Sequence, residues 1–347
     1  MKSLPAPPPD PVPLPDAHAT GLQWRAADTA DVGAWAALIA RTAVVEQPVW
    51  YEKAADLEQI LQSSKNDPAA DTVLGFDDAG VPRAYGRVAK NPDGDKAFGF
   101  ACVDPAWQRR GIGTAILAWQ EGRTRRRFAE DPGPENTPAE QAPVPRLRLF
   151  MEEKMAHQSG LFGARGFEVV RWYNEMHRPL EGGLPDVSLA PGLELLTLGP
   201  ALHEAARLAH NDAFRDHWGS EPRDEEAWRF TMEDPLHRAD LSTVVRDTAT
   251  GEIAGYQIAT FDPDAAAARG YKEGYTELLG VRRQYRGRGV ASSLLADAMH
   301  RFVAAGMDVA SLDVDSENPT GALALYLKMG YTAVNRSMAW DKVLPAE

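Results

Sequence analysis

The chain has 347 residues, 44% of them apolar, and a formal net charge of −13; at roughly 100–200 residues per domain, that length supports about two ordinary globular cores. The acidic balance argues against a general nucleic-acid binder, which needs a basic surface, and no stretch approaches the ~18 uninterrupted apolar residues of a membrane helix. Cys102 is the only cysteine, which excludes an intrachain disulfide and a metal site built on thiolates.

The amino terminus, MKSLPAPPPDPVPLPDAHAT, has seven prolines in its first fifteen residues and no apolar centre. It reads as an extended or disordered tail over residues 1–20, not as a signal peptide. With no membrane helix and one cysteine, the expected location is cytoplasmic. GLQWRAADTADVGAWAALIAR (21–41) then reads as a short strand and an amphipathic helix. TVLGFDDAGVPRAYGRVAK (72–90) follows as a hairpin turning at Ala79-Gly80. ACVDPAWQRRGIGTAIL (101–117) is a strand, a glycine-rich turn and a helix, and GRTRRR (122–127) is a solvated helix end. A proline-rich loop (130–145) leads to the alternating strand RLRLFM (146–151), and a short helix ends at Gly166-Phe167.

The same plan then repeats. GLELLTLGPALHEAARLAHND (192–212) matches the first opening, STVVRDTATGEIAGYQIATF (242–261) the hairpin, and LGVRRQYRGRGVASSLL (279–295) the glycine turn. VASLDVD (309–315) matches the second alternating strand, and another short helix ends at Gly330-Tyr331. The chain therefore reads as a tandem duplication: one domain over 21–178, a linker over 179–191 and a second domain over 192–347. Isolated residues 186–347, which hold the second glycine turn and the closing helix, are expected to retain some ligand binding. Strands and helices in this order imply an α/β sheet in each half.

A helix start presents unpaired N–H groups and the positive end of the helix dipole, which suits phosphate. Gly287 and Gly289 would let a pyrophosphate approach the backbone, and Arg286 and Arg288 add charge. A glycine-rich turn can also simply reverse the chain.

Arg286-Gly287-Arg288-Gly289-Val290-Ala291 and Gln108-Arg109-Arg110-Gly111-Ile112-Gly113 both resemble the acetyl-coenzyme A motif of the GNAT N-acetyltransferases. NPTGALALYLKMGY (318–331) is similar to that family's closing segment. The resemblance covers about residues 21–178 and 192–342, and the tandem layout is similar to that of mycothiol synthase and related actinobacterial proteins. It implies two tandem GNAT domains, each a mixed, mostly antiparallel sheet flanked by helices. It also implies acetyl-coenzyme A as cofactor and direct attack by a small-molecule amine in a ternary complex. The cofactor contacts implied in the second half are Leu279, Val281, Arg286, Gly287, Arg288, Gly289, Val290, Ala291, Ser292 and Asn318. In the first half they are Val103, Gln108, Arg109, Arg110, Gly111, Ile112, Gly113 and Thr114. Neither nucleic acid nor membrane is expected as a partner, and the expected state is a monomer or homodimer.

Making an amide from a thioester poses two proton problems. An amine with a pKa of about 10 must lose a proton, and a thiol with a pKa of about 8.5 leaves more easily if it gains one. Tyr326 stands where the family's closing helix carries its proton-donating tyrosine; the plainer alternative is packing beside Leu323 and Leu327. Glu277 is the candidate base, and strand alternation would put it on one face with Leu279 and Val281. In several relatives the glutamate lies two residues earlier, where this chain has Tyr275. Glu273, a water relay or a solvent-facing glutamate in an ion pair remain the alternatives.

The first half has neither partner. Phe162 matches Tyr326, Gly99 matches Glu277, Ala97 matches Tyr275, and Cys102 reads as a buried strand residue. That half is expected to be a retained coenzyme A seat or a scaffold. The acceptor is expected to meet the loop HNDAFRDHWGSEPRDEEAW (210–228), through Asp212, Asp216, His217, Trp218 and Glu221, with Asp224 also suited to a cation. The spacing of His210 and His217 is no ligand signature, and no metal is expected. The expected function is an acetyl-coenzyme A-dependent N-acetyltransferase acting on the primary amine of a small molecule. The alternatives are a mycothiol synthase acetylating a cysteinyl pseudodisaccharide, and a catalytically silent acyl-coenzyme A binder or sensor.

Overall fold

The computed structural model describes residues 11–131, 144–215, 217–318 and 321–345. The chain divides into two compact units, one of Met1–Val170 with Ala339–Glu347, the other of Arg171–Met338. No helix among the described residues is long and apolar enough to cross a membrane.

The first unit runs through α1 (Ala17–Thr20), β1 (Gln23–Arg25), α2 (Val32–Glu46), α3 (Ala54–Gln62), α4 (Pro68–Asp71) and β2 (Thr72–Phe76). It continues through β3 (Pro82–Ala89), β4 (Ala97–Val103), α5 (Ile112–Glu130), β5 (Arg146–Glu152), α6 (Ala156–Ala164) and the start of β6 (Glu168–Pro179). The second unit takes the rest of β6, then β7 (Leu193–Thr197), α7 (His203–Ala213), α8 (Glu225–Glu233), β8 (Thr243–Asp247) and β9 (Ile253–Thr260). After these come α9 (Pro263–Arg269), β10 (Glu273–Val281), α10 (Val290–Ala304), β11 (Val309–Asp315), α11 (Ala322–Lys328) and β12 (Thr332–Val343), which passes into the first unit from Ala339.

In the first unit the strand order is β1-β2-β3-β4-β5, antiparallel except for the β4–β5 pair. In the second it is β7-β8-β9-β10-β11-β6, antiparallel except for β10–β11. The expected mixed, mostly antiparallel α/β fold is present twice. Both hairpin turns fall at the expected glycines, with φ of 73° at Gly80 and 76° at Gly251. Asp77 and Asp247 lock them alike, each accepting backbone N–H groups from the turn.

Helices cover both faces of each sheet. In the first unit Trp35, Leu38 and Leu57 of α2 and α3 pack with Leu74 and Tyr85 on one face, while Ile112, Ile116 and Trp119 of α5 pack with Val73 and Val88 on the other. In the second, Ala206, Ala209 and Trp228 of α7 and α8 meet Tyr256 and Ile258, and Leu295, Met299 and Phe302 of α10 meet Leu312 opposite.

Three boundaries differ from the sequence expectation. The tail becomes ordered before residue 20: Val12 packs against the α5 core, and the Trp24 indole donates to the Thr20 hydroxyl at 2.9 Å. The segment expected as a linker is strapped along α10, where Leu184 and Leu189 pack into the core. His300 bonds the Pro185 carbonyl at 3.1 Å and Ser293 donates to that of Ser188 at 2.5 Å.

The third difference is the largest. β6 belongs to β11, in register from Tyr173↔Asp315 to Pro179↔Val309, so a unit starting at 186 lacks a strand of its own sheet. Conversely, Ala339–Glu347 completes the first unit. There Arg148 donates to Asp341 at 2.7 and 2.8 Å, with both side chains almost fully buried, and Leu344 has no exposure at all. Each repeat thus ends by supplying a strand to the unit built from the other, which periodicity cannot reveal.

Asp341→Ala should therefore lower stability by about 3–5 kcal/mol in chemical denaturation, because it strands the buried Arg148 charge. The isolated fragment 186–347 should show no cooperative unfolding transition by circular dichroism.

Candidate active site

The second unit has a gap in its sheet. The parallel pairing of β10 and β11 runs Glu273↔Val309, Gly274↔Ala310, Tyr275↔Ser311 and ends there, while β10 continues to Val281 and β11 to Asp315. On its other edge β10 stays paired with β9 as far as Val281↔Gly255. The β11-facing backbone groups of β10 beyond Tyr275 are therefore not used in that ladder.

A bulge sits where the strands part. The β10–β9 register jumps between Thr276↔Ala259 and Leu278↔Ile258, leaving Glu277 as the extra residue. A bulge breaks simple alternation and re-aims the side chains around it. Beyond it, Leu279 and Val281 pack toward Val290 and Leu294 of α10, whereas Leu278 packs on the α7 side. The expected common face of Glu277, Leu279 and Val281 is thus corrected: Glu277 is exposed, and its charge acts on Tyr275 and Asp313.

After β10 the chain makes the glycine turn. Gly287 and Gly289 have φ of 74° and 79°, a left-handed conformation that side chains rarely adopt. Gly289 caps α10 without any side-chain cap, so the first-turn N–H groups of Val290, Ala291 and Ser292 point outward uncapped. Arg288 lies over the Tyr285 ring at 5.3 Å. The Arg286 guanidinium instead donates to the carbonyls of Val281 at 3.3 Å and Ala213 at 2.8 Å, tying the turn to the end of α7. Asn318 shapes the turn into α11, its amide donating to Asp315 and its carbonyl accepting from Gly321. The Thr276 hydroxyl is buried at the bulge without a partner. Open N–H donors, two left-handed glycines and an unused hydroxyl beside a sheet gap fit a phosphate-bearing ligand with an extended amide arm.

Tyr326 of α11 is 7% exposed and packs edge-on to Tyr331. Its hydroxyl makes no hydrogen bond among the described residues, and burial pushes it up to about 12, so it keeps its proton at neutral pH.

On the opposite face of these strands lies a group that the sequence reading missed. Tyr275 donates to Asp313 at 3.0 Å, and Glu273 is held by Arg269 and Ser311. His177 pairs with Glu175 at 2.8 Å and stands 3.8 Å from Glu273. Burial alone would lower the His177 imidazole, but the Glu175 hydrogen bond and the Glu273 charge outweigh it and raise its pKa. Asp313 is exposed to solvent, yet protein crowds it closely enough that desolvation, helped by Glu175, Glu277 and Glu273, pushes its carboxyl up to about 7. Both facts hold for a group lining a recess. The available signal was Asp313 set between Leu312 and Val314 in VASLDVD, and Glu175 and His177 flanking Met176.

The acceptor loop is only partly as expected. Asp212 is paired with Arg215 at 2.6 Å, and Asp224 caps α8 through the Ala227 amide. His217 bonds the Trp218 carbonyl at 3.1 Å. The Trp218 ring lies under Arg171, which pairs with Asp315 and Glu317 at the end of β11, so Trp218 does reach the strand that carries Asp313. Glu221 is half-buried, and Asp216 lies outside the described residues. His210 is structural: it stacks on Phe214 and meets the Tyr256 hydroxyl at 2.5 Å, and burial drives its imidazole down to about 3.

The first unit lacks the gap's machinery. β4 and β5 pair only at Ala97↔Leu147 and Phe98↔Arg148, so a divergence exists, but β4–β3 runs unbroken from Ala84↔Val103 to Ala89↔Phe98 with no bulge. A Cβ on Gly99 would sit 2.6 Å from Leu149, leaving no space for a carboxylate. Phe162 packs among Phe167 and Trp340. Cys102 is packed beneath Thr42, with its thiol raised by burial. On the face matching the acidic recess, buried Glu52 accepts from Arg87 at 2.6 Å and Tyr85 at 2.5 Å, and Arg87 covers the Phe100 ring at 3.6 Å. The glycine turn persists: Gly111 caps α5 at φ 80° beside Ile112, Gly113 and Thr114, and Arg109 itself is left-handed at φ 63°. Gln108 bonds Glu46 and the Val103 carbonyl, and Arg110 covers Trp107.

The acetyltransferase (GNAT) family profile matches residues 203–331. A mycothiol acetyltransferase of Thermobispora bispora is 27% identical over 258 residues, covering 69% of this chain and 78% of that protein. Among solved structures, a GCN5-related N-acetyltransferase from Sphaerobacter thermophilus superposes with a TM-score of 0.68 at 24% identity, covering 96% of this chain and 98% of its own. A tandem GNAT protein from the clavulanic acid biosynthesis pathway gives 0.66 at 16% identity, with 94% and 99% covered. Residues 203–331 thus match the acetyltransferase (GNAT) family, and the chain shares its fold with these solved structures.

His210 yields a stability prediction. Its folded pKa lies below the unfolded 6.5, so its stabilising contribution is complete above that pH and fades as pH falls toward 3. Denaturation midpoints should drop below pH 6.5 in the wild type and depend less on pH in His210→Gln.

Proposed function

We propose that the second unit transfers an acetyl group from acetyl-coenzyme A to the primary amine of a small cationic molecule, by direct attack in a ternary complex. One observation carries the reading: the gap between β10 and β11 has an uncapped helix start and a protonated Tyr326 on one side and carboxylates on the other. When bound, acetyl-coenzyme A supplies the activated thioester.

This chain's own residues do the rest. The N–H groups of Val290, Ala291 and Ser292, with Arg288, hold phosphates, and the open edge of β10 at Leu279 and Val281 offers backbone partners to an amide arm. Carboxylates beside the bulge, including Glu277, attract the ammonium, and one of the acids on that side takes its proton. Tyr326 hands its proton to the departing sulfur. Trp218, His217 and Glu221 border the acceptor's approach, and the first unit keeps its glycine turn as a seat without proton-transfer groups.

The likeness to a mycothiol acetyltransferase supports a pseudodisaccharide amine as the second candidate acceptor. A silent binder is disfavoured by Tyr326, whose buried hydroxyl serves no packing need. Screening amines with thiol release as readout separates these readings.

Tyr326→Phe should lower kcat by about 10²–10⁴-fold, the usual worth of general acid–base help, with acetyl-coenzyme A affinity nearly unchanged by calorimetry. Gly289→Val should abolish both binding in the second unit and turnover. Gly111→Val, which forces the same backbone strain, should leave turnover largely intact. Equal loss in the two glycine variants, both folded, would reverse this division of labour.

A further inference from the structure

Resting on the transferase reading above, we propose that Asp313, and not Glu277, is the base that takes the proton from the incoming ammonium, with Tyr275 as the positioning residue that holds its carboxylate. The argument begins with register. The last β10–β11 pair is Tyr275↔Ser311, so the next outward-facing level on β11 is Asp313, just past the point where the strands separate. Leu312 and Val314 belong to the α10-side core, which leaves Asp313 on the recess face with Ser311. The bulge bends β10 at this level, and Tyr275, enclosed on the same face, reaches along it to donate to the carboxylate at 3.0 Å.

Charge separates Asp313 from its neighbours. The groups acting on it are Tyr275, Glu273 and Glu277 from β10 and Glu175 from β6. Each of the other acids of the recess floor already has a cation: Glu273 has Arg269, and Glu175 has His177. Among the described residues Asp313 meets no cation and is held only by a neutral phenol. An ammonium at the gap supplies the missing positive charge, and a carboxyl titrating at about 7 is well matched to a base working at neutral pH.

The protons balance. One leaves the ammonium for Asp313 and passes to solvent. The neutral nitrogen then forms the N–C bond as the C–S bond breaks and its electron pair goes to sulfur. Tyr326 protonates the sulfur, and the second proton lost from nitrogen makes good the one it gave.

The test uses full-length protein, acetyl-coenzyme A and 1,4-diaminobutane as the acceptor probe. Asp313→Asn should lower kcat by about 10²–10⁴-fold, keep acetyl-coenzyme A affinity, and remove the acid limb of the kcat/KM profile near pH 7. Glu277→Gln should raise KM and keep that limb. Tyr275→Phe should move the limb to higher pH, because the lost hydrogen bond had stabilised the carboxylate; a merely structural tyrosine would not shift it.

Carbon-13 NMR of labelled aspartate side chains reads the same group without any acceptor. The signal missing in Asp313→Asn should titrate near neutrality and move upward in Tyr275→Phe. Titration in the ordinary carboxylate range, or an Asp313→Asn variant with wild-type kcat and an intact limb, overturns the base assignment alone. Wild-type protein that gives no heat with acetyl-coenzyme A overturns the transferase reading and the base together.

Discussion

The chemistry proposed for the second unit depends on where two parallel strands stop pairing. Hydrogen bonds hold β10 to β11 through Tyr275 and Ser311 and no further. Had the ladder continued, the β11-facing edge of β10 would be consumed and no arm of a ligand could lie against it. The bulge at Glu277 makes this separation tolerable, because β10 keeps its β9 partner while bending away from β11. The α10 face carries the helix start and Tyr326; the opposite face carries the recess acids. A single local break in one sheet thus brings an uncapped helix start, a buried tyrosine and a set of acids to one gap.

The first unit serves as an internal comparison. It keeps the divergence of β4 from β5 and the left-handed Gly111, but its β4–β3 ladder has no bulge. Where the second unit leaves Asp313 without a cation among the described residues, the first neutralises buried Glu52 with Arg87 and Tyr85. A buried ion pair of this kind is hard to reopen, because removing either partner strands a charge. The face that would receive an acceptor is thereby converted into core.

Much of this was legible in the sequence. The repeat, the hairpins at Gly80 and Gly251 and the two glycine turns are local, written in turn chemistry and periodicity. Tyr326 could be singled out because its helix resembles the closing segment of the GNAT family. Most of the errors are non-local. Alternation assigned Glu277 to the face of Leu279 and Val281, but a bulge adds a residue that no pattern of period two announces. Asp313, Glu175 and His177 come from strands far apart in the chain and become neighbours only through register. Asp212 and Asp224 had the right charge for a cation, and the fold spends them on Arg215 and a helix cap.

The exchanged strands also bear on how the protein is made. Arg148 meets its partner Asp341 across 193 positions of chain. A ribosome delivers the amino-terminal end first, and domains generally fold in that order. Here the first unit lacks its last strand until the final residues are released, so nearly the whole chain emerges before the earliest-made sheet can close. Until then the edge of β5 that β12 takes stays open, an invitation to wrong partners that slow, non-local pairing prolongs. Loss of residues 339–347 would harm the half of the molecule made first.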